Sequence, residues 1–161
     1  AKFVFETVGY NLEGSELGAS FGMVQLEKLD QTIASRQANF ERQCKFFDNY
    51  PDYFSNPQET HGCNTAWLAF PILIKEGAPF TRKEFQIFLE KRNIQTRVVF
   101  TGNILRQPMC QNISKKVLKE GYPNADRVMA RGVLLPLHHG MTESMFSRFH
   151  ATVHEFIEQY D

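Results

Sequence analysis

The chain lacks net charge: its 161 residues include 18 Lys and Arg against 18 Asp and Glu. With no overall field to hold a polyanion or an anionic membrane, nucleic acid is a poor partner, although a local basic patch is still allowed. Long apolar runs are missing as well. The longest, Ala66 to Ile74, stops at Lys75, far short of the ~20 residues a bilayer span requires, so no membrane partner is expected. The first ten residues alternate apolar with polar and lack the apolar stretch of a secretory signal. Cysteine is scarce. Cys44, Cys63 and Cys110 are odd in number, widely separated and contain no CxxC pair, which argues against a disulfide framework and a zinc site and leaves three reduced thiols. The chain thus reads as cytoplasmic. It contains no GxGxxG, GxxxxGK[ST] or GxSxG segment, so the standard dinucleotide, phosphate-loop and hydrolase sites are absent.

What is present is core-forming material. Leu, Ile, Val and Phe make up about 27% of the chain, above the roughly 20% below which a chain stays disordered. The length fits one domain, or a core with a long appendage. Ser15 can cap a helix running to about Leu29, with Leu17, Phe21 and Val24 spaced as a buried stripe. Leu26, Ile33, Phe40 and Phe47 then recur every seven residues. They predict a long second helix, bent or broken near Asp30 and ending before Pro51. The same repeat is open to a coiled coil.

Residues 51–64 read as connection, followed by a strand from Ala66 to Ile74. Pro71 within it implies an edge position, a bulge or an early end. Thr81 and Glu84 form a capping box for a helix from about Arg82 to Arg92. Ile94, Val98, Val99 and Phe100 read as a strand, Asn124 to Ala130 as a short helix, and Gly132 to Leu137 as a short strand. Thr142 caps a last helix with Phe146, Phe149, Val153, Phe156 and Ile157 on one face. Strands separated by short helices give an α/β (α+β) class, a small sheet covered by helices on at least one face. The order divides into a helical segment, 1–50, and an α/β domain, 51–161. The strand-like opening Phe3-Val4-Phe5 hints at a piece of something longer.

Three clusters bear on chemistry. His138-His139-Gly140 follows a strand end, where loop residues often carry function. Adjacent histidines on an extended segment point to opposite sides, so a polar substrate or partner contact fits them better than a shared metal. His150 and His154 are spaced i, i+4 but without a HExxH pattern, which reads as a solvated helix face. Arg97 on a strand, and Arg106 within Thr101-Gly102-Asn103-Ile104-Leu105-Arg106-Gln107-Pro108 just beyond it, could form an anion clamp for a phosphate or carboxylate; two surface arginines in salt bridges is the competing reading. Asn11, just ahead of the first helix, could donate to an anion that the helix dipole also favours, or serve as an ordinary cap.

Gly9-Tyr10-Asn11-Leu12, Ser15-Glu16-Leu17, Ala19, Gly22 and Gln25-Leu26-Glu27-Lys28-Leu29 together resemble the GYN...QAAxGxxQLxKL signature of the DegT, DnrJ, EryC1 and StrS sugar aminotransferases. Ile94-Gln95-Thr96-Arg97 and Gly102 to Pro108 look like the branch that removes the C3 hydroxyl from nucleotide-linked 4-keto-6-deoxyhexoses. Leu135-Pro136-Leu137-His138-His139-Gly140-Met141-Thr142 is similar to the family's LPxHxGMT stretch. Gly18 and Ser20 depart from the signature, standing where Gln and Ala are usual.

The resemblance implies the C-terminal part of a pyridoxal-phosphate enzyme of fold type I: linking helices followed by the small domain. It implies pyridoxal 5'-phosphate or pyridoxamine 5'-phosphate as cofactor, a nucleotide-linked keto-deoxysugar as substrate, and a homodimer. Asn11 would reach the cofactor phosphate of the neighbouring subunit. Arg97, Phe100, Asn103, Arg106 and His138 or His139 would line the substrate side of the cleft. The Schiff-base lysine, or the histidine that replaces it in dehydratases, would lie upstream, so no catalytic residue and no metal ligand is expected within this chain. This reading predicts an exposed apolar face on the Leu17, Phe21, Ile33 and Phe40 side. A stand-alone nucleotide-sugar-binding module using an Arg97 and Arg106 clamp without catalysis, and a helical interaction domain, are the alternatives.

Overall fold

Residues 10, 12 and 14–160 are described by the computed structural model. The opening run Phe3-Val4-Phe5 and Asn11 lie outside them. Helix α1 (Glu16–Glu27) starts after an extended Ser15 whose hydroxyl caps nothing. The expected buried stripe is not formed: α1 buries no residue, and Leu17 and Phe21 are 82% and 69% exposed. Leu17, Phe21 and Val24 do share one side, but Met23 and Leu26 point elsewhere, so the helix is apolar on more than one side and no described element packs on it.

Helix α2 (Leu29–Phe47) follows with only Lys28 between, which puts the expected break near Asp30 at Lys28. There the Lys28 N–H bonds back to the Gln25 carbonyl, closing α1 with a tight turn. Along α2 the seven-residue repeat moves from solvent to core. Ile33 is half-buried, Phe40 and Cys44 pack against the core, and Phe47 is fully inside it. The repeat is thus a helix packed on its own domain.

Four short strands form one antiparallel sheet in the order β1-β2-β4-β3. They are β1 (Phe54–Ser55), β2 (Phe70–Ile74), β3 (Arg97–Val98) and β4 (Gly132–Leu135). In β2 the burial alternates, with Phe70, Ile72 and Ile74 inside, as a sheet with one covered face requires. Because β1 reaches only Leu73 and Ile74, Pro71 lies where β2 is locally an edge and no ladder partner is lost on that side. The strand expected over Ile94 to Phe100 shrinks to two residues. Phe100 adopts a left-handed backbone, φ +47°, and leaves the ladder.

Helices α3 (Arg82–Glu90), α4 (Pro123–Arg131) and α5 (Glu143–Ile157) complete the domain. The Thr81–Glu84 capping box forms in full, and the Thr142 hydroxyl accepts from the Met145 N–H. Phe85 and Leu89 of α3 and Phe149, Val153, Phe156 and Ile157 of α5 meet the buried sheet face. The core is dominated by phenylalanine. Phe80 packs edge-on to Phe156 at 4.8 Å and Phe47 stacks on Phe70 at 5.5 Å, arrangements each worth about 0.5–1.5 kcal/mol beyond the burial itself. All three cysteines are free thiols. Among the described residues no helix is long and apolar enough to cross a membrane.

Candidate functional site

The sequence-marked residues gather in two places. The first is the loop after β3. Gly102, at φ +65°, passes so close to α4 that an added Cβ would lie 2.3 Å from the Met129 Cβ. Only glycine permits both the backbone angle and the approach. That contact brings two short 3-10 turns, Ile104–Arg106 and Pro108–Cys110, alongside α4. Asp126 then takes both sequence-marked side chains of the loop. Arg106 donates through Nε at 3.0 Å and Nη2 at 2.8 Å, and Asn103 Nδ2 donates at 2.8 Å. These hydrogen bonds, from Arg106 first and Asn103 second, hold the Asp126 carboxyl down at about 2. Asn103 is buried and its own Oδ1 accepts from the Leu105 N–H.

Arg106 is therefore already paired, and the expected clamp of Arg97 with Arg106 is not assembled. The two arginines line different cavities: Arg106 one of about 330 Å³ with Asn103, Tyr122 and Asp126, and Arg97 one of about 400 Å³ with His138. Sequence reading missed Asp126 because its carboxylate lies twenty positions from Arg106 and belongs to another element. Phe100 projects into solvent, 88% exposed, a costly posture for an aromatic in a left-handed conformation.

The second place is where β4 leaves the sheet. Arg97 on β3 pairs with Leu134 on β4, and the chain from Leu134 runs on to His138. Helix α2 fixes this exit. Asn39 Nδ2 donates to the His138 carbonyl at 2.8 Å and Gln43 Nε2 to the Pro136 carbonyl at 3.4 Å. His138 folds back so that its Nδ1 accepts from the Gly140 N–H at 3.1 Å. Its ring borders two adjoining cavities, the one holding Arg97 and a second of about 240 Å³. His139 is exposed, its ring 6.4 Å from that of His138 and steeply inclined to it. Among the described residues no three His, Cys, Asp or Glu side chains come together as a metal site.

Of His150 and His154, the second is exposed as expected, and the first is corrected. His150 is not a solvated helix residue. It stacks flat on Phe46 at 3.8 Å and bonds to Gln43 Oε1 at 2.8 Å, joining α5 to α2. Burial, with Arg42 nearby, lowers its pKa to about 4, so it stays neutral. His154 meets the Tyr50 hydroxyl at 3.0 Å. Neither contact could be read locally, since both partners lie more than a hundred positions away.

For a phosphate-bearing cofactor the described residues offer one fitting feature: the first turn of α1, whose backbone N–H groups Ser15 leaves uncapped. Asn11, the residue expected to contact that phosphate, lies outside the described residues.

A family model described as the DegT/DnrJ/EryC1/StrS aminotransferase family matches residues 1–154. The lipopolysaccharide biosynthesis protein RfbH of Salmonella typhimurium is 31% identical over 141 residues, covering 88% of this chain and 32% of that protein. A dTDP-4-dehydro-2,6-dideoxy-D-glucose 3-dehydratase of Saccharopolyspora spinosa is 31% identical over 156 residues, 97% of this chain and 33% of the relative. Among solved structures, the E. coli GDP-4-keto-6-deoxy-D-mannose-3-dehydratase with bound hydrated PLP superposes with a TM-score of 0.77 at 26% identity, covering 93% of this chain and 37% of that one. The chain thus spans about a third of the length of the relatives it matches.

Proposed function

Because this chain belongs to the DegT/DnrJ/EryC1/StrS aminotransferase family, we propose that it is the small-domain part of an enzyme that removes the C3 hydroxyl of a nucleotide-linked 4-keto-6-deoxyhexose. The observation that carries the reading is the 31% identity to the Saccharopolyspora 3-dehydratase over 97% of the chain. Residues 1–50 would link to the rest of the enzyme and face the second subunit of a homodimer, and 51–161 would form the small domain. Pyridoxal or pyridoxamine phosphate, when bound, supplies the electron sink that carbanion chemistry beside a keto group needs. Asn11, through its amide donors, and the uncapped start of α1 would hold its phosphate from the neighbouring subunit.

The chain's own residues would then act on the substrate. Arg97 and His138 face one groove, where the guanidinium binds an anion and the imidazole orients a hydroxyl. Phe100 would offer a ring for stacking, and the exposed His139 would approach the same mouth. Asn103 and Arg106, locked on Asp126, hold the loop in the shape that presents Phe100. Arg106 in this reading shapes the pocket wall and does not capture the ligand's charge.

The test is incubation of the whole enzyme that contains this chain, with pyridoxamine phosphate and GDP-, dTDP- and CDP-linked 4-keto-6-deoxyhexoses, the products read by mass spectrometry. A product lacking the C3 oxygen is expected. A product carrying an amino group at C4 would place the chain in the transaminating branch instead. Binding without turnover would favour the non-catalytic module.

A further inference from the structure

The ladder of β4 ends at Leu135, whose partner is Phe70, yet the alternation of burial continues through Leu137. The chain therefore stays extended past the sheet and turns the carbonyls of Pro136 and His138 to the same side. Neither carbonyl belongs to a strand, and α2 supplies side-chain amides in place of one. Asn39 Nδ2 donates to the His138 carbonyl at 2.8 Å and Gln43 Nε2 to the Pro136 carbonyl at 3.4 Å. The match is one of pitch. Four residues of helix rise about 6 Å and two residues of extended chain span about 6.6 Å, so two amides one turn apart on one helix face meet alternate carbonyls. Arg36, on the same side of α2, donates to the Trp67 carbonyl at 2.8 Å and lines the cavity that holds Arg97.

The two amides are held differently. Gln43 is fully buried. A carbonyl only accepts, so the Gln43 amide nitrogen faces Pro136, its Oε1 faces His150, and the His150 Nε2 carries the proton donated at 2.8 Å. His150 is itself stacked flat on Phe46 at 3.8 Å. Asn39 is half-buried and its bond lies at the surface, where water can take its place with little loss of stability. What water cannot supply is direction. Two residues past the held carbonyl, the Gly140 N–H donates to the His138 Nδ1 at 3.1 Å, so Nδ1 carries no proton and the neutral ring keeps Nε2–H for the cavities that His138 lines. We propose that Asn39 is a positioning residue for the chemistry at the substrate. Its grip on the His138 carbonyl sets the turn that aims the His138 imidazole as a hydrogen-bond donor, and Gln43, oriented by His150, fixes the same segment two residues earlier. The assignment rests on the nucleotide-sugar reading for what the imidazole meets, and it adds Asn39, Gln43 and His150 as residues that act through His138.

A double-mutant cycle in the whole enzyme that contains this chain tests the proposal, with the nucleotide sugar it turns over as substrate. Asn39→Ala should lower kcat/KM about tenfold in the native background. With His138→Ala already present the fall should be less than about twofold, because the group that Asn39 aims is gone. Asn49→Ala, which removes an exposed amide bonded to the Lys45 and Phe46 carbonyls, is the control and should change neither value. A second measurement needs no turnover: the rate at which diethyl pyrocarbonate modifies His138, resolved from His139 by mass spectrometry. The reagent takes a ring nitrogen lone pair, and the one at Nδ1 is held by the Gly140 N–H. Loosening the turn in Asn39→Ala should speed modification of His138 about threefold or more and leave His139 unchanged. This rate decides the matter alone where His138→Ala abolishes turnover. No fall in kcat/KM, an equal fall in both backgrounds, or an unchanged His138 rate each overturns the proposal. The two readings fail separately. A faster His138 reaction in Asn39→Ala with no turnover of any nucleotide sugar would sink the enzymatic reading and keep the positioning. Turnover with an unchanged His138 rate would sink the positioning and keep the enzyme.

Discussion

Helix α1 and helix α5 are both rich in apolar residues, yet one buries nothing and the other buries six side chains. The difference lies in arrangement. In α5 the buried apolar positions fall at Phe146, Phe149, Val153, Phe156 and Ile157 along one stripe, whereas in α1 Met23 and Leu26 lie off the Leu17, Phe21 and Val24 side. A stripe can be satisfied by a single neighbouring surface, but a helix apolar on more than one side requires cover on more than one. Nothing among the described residues covers α1, whereas α5 buries its stripe within the chain.

That contrast is most directly broken by paired truncations. Phe156→Ala should cost about 3–5 kcal/mol, because it empties a site enclosed by Phe80, Phe85 and Phe88. Phe21→Ala should change the stability of the 161-residue chain by less than about 0.5 kcal/mol. Urea unfolding midpoints measure both, and equal losses would refute the division. Next in size is Gly102→Ala, at about 1–3 kcal/mol from overlap with Met129, with the left-handed backbone adding to the penalty. Gly14→Ala, at an open position just before α1, should be neutral in the same assay.

The seam where the covered half begins is sharpened by acid. His150 takes a proton near 6.5 in the unfolded chain and near 4 in the folded one. The unfolded state therefore binds more protons between these values. Stability is full above about pH 6.5 and falls as the pH drops toward 4. Asp126, held at about 2 instead of the usual 3.8, contributes stability that is full above its ordinary value and is lost only as the pH falls from there toward 2, below that window. His150→Gln should flatten the slope of urea midpoint against pH. The smallest effect is on thiol chemistry. Burial, with Asp48 and Glu41 nearby, pushes the Cys44 thiol up to about 11, and Cys110 is buried, whereas Cys63 is exposed. A disulfide reagent at neutral pH should modify Cys63 first and leave Cys44 until the protein unfolds.

Legibility in the sequence followed range. Thr81 with Glu84, Thr142 with its helix, and the break close to Asp30 depend on neighbours three or four positions away, and all three are present in the fold. The two-residue length of β3 was not legible, because nothing local announces that Phe100 turns left-handed. The site split in the same way. Arg97 and His138 could be picked out by residue type beyond strand ends. The pairing of Arg106 with Asp126, and of His150 with Gln43, is made by elements meeting in space. A local pattern cannot separate a free arginine from a spoken-for one.

Arg36, Asn39, Phe40, Gln43 and Phe47 all stand on one side of α2, spaced by threes and fours. Asn39 and Gln43 are the residues tied to the carbonyls of His138 and Pro136. One residue inserted anywhere between Arg36 and Phe47 would turn the two ends of that side about 100° apart, unseating the core phenylalanine or swinging the arginine off the groove. The stretch of eleven steps that follows Arg36 is therefore frozen in length even where its individual letters drift.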